Sequence, residues 1–333
     1  MTTQTVDGSG IRPRTAAQTL VLLAAPPHQC ILRSLASGPK RLVELRRESG
    51  SLTQKALRSC LRTLEQIRAV AKHRRKAIPG SLEYELSEQG RELRFVGSVL
   101  DRWLAACPRD PLQLGDESAR QAILALASGW SSKIMRALAS RPRSLDDLHS
   151  DIDMLDRPSL ESRLEEMRLA GLVEMPAPNE PKPAYAVTDW LRLGLGPIAA
   201  ASRWERRNMT EQTAAIGKTD VEAGLMLAMP LAQLPIGTSG ACRFVVELSG
   251  KGENESAIVT VAARDGGIVS CAIGGDVADA SATGEPTEWF RAAIEADPGH
   301  LTLSGNRRLA HALLQGLYGV LFSRPRRGTF RYL

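Results

Sequence analysis

At 333 residues, 43% hydrophobic and 24% charged, the chain has the composition of a globular protein of two or three domains, neither fibrous nor disordered. Its net charge of +6 is uneven: residues 1–110 hold 19 Lys and Arg against 10 Asp and Glu, residues 111–210 hold 13 against 14, and residues 211–333 hold 11 against 13. No apolar run is long enough to cross a bilayer, the start is polar rather than leader-like, and Cys30, Cys60, Cys107, Cys242 and Cys271 lack metal or disulfide spacing; the expectation is a cytoplasmic protein without metal or cofactor.

After a polar stretch at 1–15, expected to be disordered, a first unit spans 16–110. Periodicity predicts an apolar helix over 17–24, then a second helix carrying Ile31, Leu32 and Leu35 and stopped at Gly38-Pro39. A short segment at 42–47 leads to a helix over 53–67, with Thr53 as N-cap and Leu57, Cys60, Leu61 and Leu64 as its apolar stripe. Short strands at 69–72 and 82–86 bracket a polar loop, and a last helix over 88–106 carries Leu93, Val96, Leu100, Trp103 and Leu104. This is the order of a helix-turn-helix with a β-wing and a trailing helix.

The face opposite the leucine stripe of the 53–67 helix presents Thr53, Gln54, Lys55, Arg58, Ser59 and Arg62. Such side chains suit base edges and phosphates in a major groove. The loop that follows is basic, with Lys72, Arg74, Arg75 and Lys76 placed to hold the DNA backbone or minor groove.

The pattern then returns over 116–208. Residues 31–45 match 134–148 at an offset of 103, with eight of fifteen positions identical, and after a two-residue contraction Tyr84, Ser87 and Trp103 fall on Tyr185, Thr188 and Trp204. Self-similarity at one long offset means one domain present twice. The second copy differs where the first is basic: its equivalent helix carries Glu161, Glu165 and Glu166, and its wing, 174–183, is proline-rich. Carboxylates facing phosphates oppose binding, so the second copy is expected to imitate the partner subunit of a dimer within one chain or to serve protein contacts.

Several motifs agree in order and spacing over about 85 residues: Ile31-Leu-Arg-Ser-Leu35, Gly38-Pro-Lys-Arg-Leu-Val-Glu-Leu45, Leu52-Thr-Gln-Lys-Ala-Leu57, Leu61-Arg-Thr-Leu-Glu65 and Tyr84-Glu-Leu-Ser-Glu-Gln-Gly90. Together they resemble the HxlR-type winged-helix regulators. The resemblance implies a DNA-binding transcriptional regulator, typically homodimeric; whether this chain also forms a homodimer stays open.

From 211 to 323 the pattern is different. Residues 216–240 are mixed and rich in Met, Pro and Gly. Strands are expected at 241–248, 257–262, 268–273 and 278–282, a helix at 285–294 with Pro286 in its first turn, a strand at 301–303 and a helix at 307–322. Ala278-Asp-Ala-Ser-Ala-Thr-Gly284, Glu288-Trp-Phe290 and Leu301-Thr-Leu-Ser-Gly-Asn306 resemble the sterol-carrier-protein-like domain. That resemblance implies an antiparallel sheet with helices on one side around an apolar tunnel for a lipid-like ligand. Candidate lining is Met226, Leu227, Met229, Leu231, Leu234, Phe290, Leu313, Leu317 and Phe322; an ordinary core is the alternative for any of them. The tail, 324–333, is basic. His28, His73, His149, His300 and His311 stand apart without a nucleophile or metal spacing, so no enzyme is expected.

The expected architecture is thus mainly α with small β-wings, in two winged helix-turn-helix domains, followed by an α+β sterol-carrier-like domain. The expected function is one-component DNA-binding regulation controlled by a small apolar ligand. A ligand-binding or scaffold protein that uses its winged helices only for protein contacts is the alternative.

Overall fold

Leucines three and four apart, and the caps that start each helix, set the first part of the computed structural model, which describes residues 16–50, 52–74, 82–129, 132–152, 156–176, 183–209, 216–249 and 254–322. Helix α1 (Ala17–Ala24) is followed by α2 (Pro26–Leu35), whose prolines occupy the first turn, where a missing N–H costs nothing. Strand β1 (Lys40–Arg41) leads into α3 (Leu42–Glu48), which occupies the segment left unassigned from the sequence. Its single buried residue, Leu45, gives no periodic signal. In α4 (Gln54–Gln66), the Thr53 hydroxyl accepts from the Ala56 N–H at 3.2 Å, and Leu57, Leu61 and Leu64 turn inward. Strands β2 (Val70–Arg74) and β3 (Leu82–Leu86) form the hairpin, and Ser87 caps α5 (Glu88–Ala105). β1 joins the far edge of the hairpin, giving the order β1-β3-β2.

Residues 117–208 run through the same elements in the same order. These are α6 (Glu117–Gly129), α7 (Ser132–Ser140), β4 (Arg143–Ser144), α8 (Leu145–Asp151), α9 (Arg157–Leu169), β5 (Val173–Glu174) and β6 (Ala184–Val187), with sheet order β4-β6-β5. The trailing helix is broken at Gly194 into α10 (Asp189–Leu193) and α11 (Leu195–Asn208). The ends of α4 and α9 close alike. Ala69 N–H reaches Leu64 O at 2.8 Å and Arg68 N–H reaches Glu65 O at 2.9 Å; Leu172 N–H reaches Met167 O at 2.8 Å and Gly171 N–H reaches Arg168 O at 2.9 Å. This closure needs a left-handed residue. Gly171 supplies it at φ 79°, whereas the first half uses Arg68 at φ 59°, a conformation that costs a side-chain-bearing residue about 1 kcal/mol.

The two halves pack α1 against α6 and α5 against α11. The Trp103 indole N–H donates to Trp190 O at 2.9 Å, and the Trp204 indole N–H donates to Gln89 O at 2.9 Å. Both donor and acceptor differ by 101 residues between these bonds, so one is the counterpart of the other. Trp190 returns a bond from its own indole to Trp103 O at 2.9 Å, and the two rings stack at 4.7 Å. Glu205 reaches across from α11 to accept the N–H groups of Ala16, just before α1, and of Thr19 in its first turn, each at 2.7 Å, which satisfies donors that a helix start leaves open. Burial raises the Glu205 carboxyl pKa against the lowering effect of these bonds. Glu205→Ala is expected to cost about 1–3 kcal/mol, the penalty of stranding buried N–H groups, read as a lower urea midpoint at unchanged slope.

The last part holds α12 (Lys218–Ala228) and a five-stranded sheet of order β11-β10-β7-β8-β9. Its strands are β7 (Gly240–Ser249), β8 (Asn254–Arg264), β9 (Gly267–Ile273), β10 (Ala280–Gly284) and β11 (Thr302–Gly305), with α13 (Pro286–Glu295) between β10 and β11 and α14 (Arg307–Phe322) at the end. The sheet is mixed rather than antiparallel, because β10 runs parallel to β7. Cys242, Phe244, Val246 and Leu248 of β7 and Ala257, Val259, Val261 and Ala263 of β8 form the buried face. Helix α12 was hidden in the mixed 216–240 stretch: it packs against both α7 and β8, so apolar residues surround it and no stripe stands out. Arg192 of α10 fastens this part to the second half by donating to Leu227 O at 3.1 Å and Ala139 O at 3.3 Å, the open ends of α12 and α7.

Candidate nucleic-acid interface

The buried side of α4 leaves its other side to solvent. Thr53, Gln54, Lys55, Arg58, Ser59 and Arg62 are all exposed. Positions 54, 55, 58, 59 and 62 recur at helical spacing, so they share one face. Among the described residues, the side chains of Gln54, Lys55, Arg58, Ser59 and Arg62 make no hydrogen bond or ion pair, and Ser59 is engaged only through its carbonyl, which accepts from the Thr63 hydroxyl at 3.2 Å. The Thr53 oxygen is used by the cap, which leaves its O–H as a donor.

The wing is less uniform than its sequence. Lys72 binds Glu65 of α4 at 2.5 Å and lies 5.8 Å from the Tyr84 ring centre, so it ties wing to helix. His73 pairs with Glu85 at 2.7 Å. Arg74 is exposed at the end of β2. Arg75 and Lys76 lie outside the described residues. Arg46 and Arg47, exposed in the last turn of α3, add positive charge on the helix just before α4. The sequence pattern does not single them out, because the 42–47 segment carries no helical periodicity.

Counterpart positions on α9 carry the opposite chemistry. At the offset of 103, Arg58 becomes Glu161, Arg62 becomes Glu165 and Lys55 becomes Pro158. The arginines α9 does carry are engaged or covered. Arg157 pairs with Asp146 at 2.6 Å and Arg168 with Glu165 at 2.6 Å, while half-buried Arg163 has its pKa lowered by burial. Of the second wing, 177–182 lies outside the described residues.

Most of the nine candidate ligand residues lie in the packed core. Met226 and Leu227 on α12, Met229 in the turn after it, and Leu313 and Leu317 on α14 are buried in the continuous core. Leu234 lies close against Gly316, where a Cβ would come within 2.8 Å of its methyl. Leu231 and Phe290 are half-buried. Phe322 points to the first half, its ring 6.1 Å from that of Phe95 on α5, and it borders a cavity of about 20 Å³ beside Trp103 and Pro197. Among the described residues, no group of His, Cys, Asp and Glu could hold a metal ion, and no helix is long and apolar enough to cross a membrane.

Residues 28–109, from α2 past the end of α5, match the family of HxlR-like helix-turn-helix domains. The chain is similar to two HTH-type transcriptional regulators of Bacillus subtilis (strain 168), YtcD and YkvN. It is 40% identical to YtcD over 73 residues, 22% of this chain and 58% of that protein. It is 36% identical to YkvN over 73 residues, 22% of this chain and 62% of that protein. The chain thus spans less than two thirds of either relative, and the family match leaves 1–27 and 110–333 outside. With α4 exposed and basic, the β2–β3 wing beside it and α5 behind it, residues 28–109 carry an HxlR-like helix-turn-helix domain.

Proposed function

We propose that the chain is a one-component transcriptional regulator whose first unit, 16–110, reads double-stranded DNA. The observation that carries this reading is the unengaged basic face of α4, set against the acidic and internally paired face of α9. Lys55, Arg58 and Arg62 supply contacts to base edges and phosphates, and the wing supplies affinity that does not depend on sequence. A gel shift against DNA upstream of the chain's own gene tests it. Tight, site-specific binding that weakens steeply with salt supports the proposal; weak binding with no preferred site contradicts it. In the same assay Arg74→Ala is expected to weaken binding to all sequences and flatten the salt dependence by about one slope unit, with site preference unchanged.

The second unit, 116–208, is a copy that stands in for the partner subunit, making an intramolecular pseudo-dimer. The counterpart indole bonds of Trp103 and Trp204 and the matching ends of α4 and α9 support this. For 211–323 the proposed role is a sterol-carrier-like domain holding a small apolar ligand that tunes DNA affinity. The sequence motifs and a sheet with helices against its apolar face support that role, and the close packing around Leu234 and Gly316 requires the core to open for a ligand. Calorimetry on the full chain with palmitate or cholesterol should then show saturable binding with a negative heat-capacity change. By linkage the same ligand should shift operator affinity about 5- to 150-fold.

A further inference from the structure

Surfaces related by a two-fold axis make each contact twice, with the partners exchanged. The two halves of this chain carry that signature. Trp103 of the first half donates to Trp190 O of the second, and Trp204 of the second donates to Gln89 O of the first, both at 2.9 Å. Counterpart helices also meet each other: α1 packs on α6, and α5 packs on α11. Trp103 and Trp204 are both buried. The faces of α1 and α5 that a second chain would need for this arrangement are therefore occupied from within.

A two-fold pair of helix-turn-helix units meets two half-sites of opposite direction, with one recognition helix on each. Helices α4 and α9 hold the counterpart places in this pair, and their chemistry differs. On α4, Lys55, Arg58 and Arg62 are exposed. At the counterpart positions α9 carries Pro158, Glu161 and Glu165. Pro158 and Glu161 are exposed, Glu165 is held by Arg168 at 2.6 Å, and exposed Glu166 adds a further carboxylate. On a second half-site this face would bring carboxylates to the phosphates and would lack the cations that neutralise them.

We infer, resting on the first unit as the DNA reader, that the operator is a single half-site without inverted symmetry. One chain binds it through α4, and the second half of an inverted repeat gains nothing from α9. The class of sequence recognised is thus asymmetric rather than palindromic, although the protein around it has the internal arrangement of a dimer. Three positions on α9 set the difference, so restoring the α4 side chains there should convert the preference.

The test begins by selecting binding sites for the full chain from a random-sequence duplex library. One short motif without inverted symmetry is expected. Anisotropy titration then compares duplexes holding one copy of that motif with duplexes holding two in inverted orientation, their spacing stepped through one helical turn of about 10 bp. The wild-type chain should bind the single copy one to one, and should bind the inverted pair no more tightly per chain at any spacing. Pro158→Lys combined with Glu161→Arg and Glu165→Arg should bind the inverted pair, at one spacing, at least about tenfold more tightly than the single copy, the return from one good base contact. A palindromic motif, or a wild-type chain that binds an inverted pair about tenfold more tightly than one copy, overturns the inference and leaves the first unit a DNA reader. The wild-type comparison holds whether or not the triple variant folds. A variant with an unchanged melting temperature and no gain at any spacing overturns the placing of α9 at a second half-site. Selection that recovers no motif overturns both the inference and the DNA reading beneath it.

Discussion

Alanine at Lys55, Arg58 and Arg62 together is expected to abolish specific DNA binding without loss of fold. All three side chains are exposed and engage nothing else among the described residues, so removing them leaves the Leu57–Leu61–Leu64 core intact. Contacts of this kind contribute about 1–3 kcal/mol each, so the triple variant should lose roughly 100-fold or more. Alanine at Arg157 and Arg163 of α9 should change affinity by less than about threefold, because Arg157 already pairs with Asp146 and Arg163 is half-buried near Glu166. Fluorescence anisotropy on one labelled operator measures both. Equal losses from the two sets would show that the halves share DNA contact and that the charge asymmetry has another cause.

The largest effect on stability is expected from Trp190→Ala. The ring is 1% exposed, stacks on Trp103 and donates its indole N–H to Trp103 O. Truncation removes the stack, opens a cavity the size of an indole and takes one of two donors from that carbonyl, which keeps the Ala106 N–H at 3.1 Å. Buried tryptophans lost in this way cost about 3–5 kcal/mol. The urea midpoint should fall accordingly, and since Trp190 bridges the halves, the slope should fall too if they begin to unfold separately. A cost below about 1.5 kcal/mol would mean that the indole pair is incidental to how the halves are held.

Much of this molecule was legible from its sequence where one face of an element is buried and the other is wet. Helix α4 is readable because Leu57, Leu61 and Leu64 alternate with charged residues, and its start is marked by Thr53. Strands β7 and β8 were readable from their alternation. Elements without that contrast were not. Helix α12 is covered nearly all round, and α3 buries one leucine. The parallel pairing of β10 with β7 is a long-range choice, reached when 274–279 carries the chain from β9 at one edge across to β10 beside β7, and no local pattern encodes it. The residues proposed to face DNA are legible because their spacing follows from the helix, whereas the Lys72–Glu65 tie requires the wing's position against α4.

Photo-crosslinking from the two recognition positions tests the central claim most directly. Ser59 on α4 and Ser162 on α9 are counterparts at the 103-residue offset, and both are exposed. A benzophenone-bearing amino acid is placed at one position or the other in the full chain, and the protein is irradiated on its operator. Crosslinks to DNA from position 59 and none from position 162 are the predicted result. Equal crosslinking from both positions, or crosslinking from position 162 alone, would contradict the assignment of DNA reading to the first half.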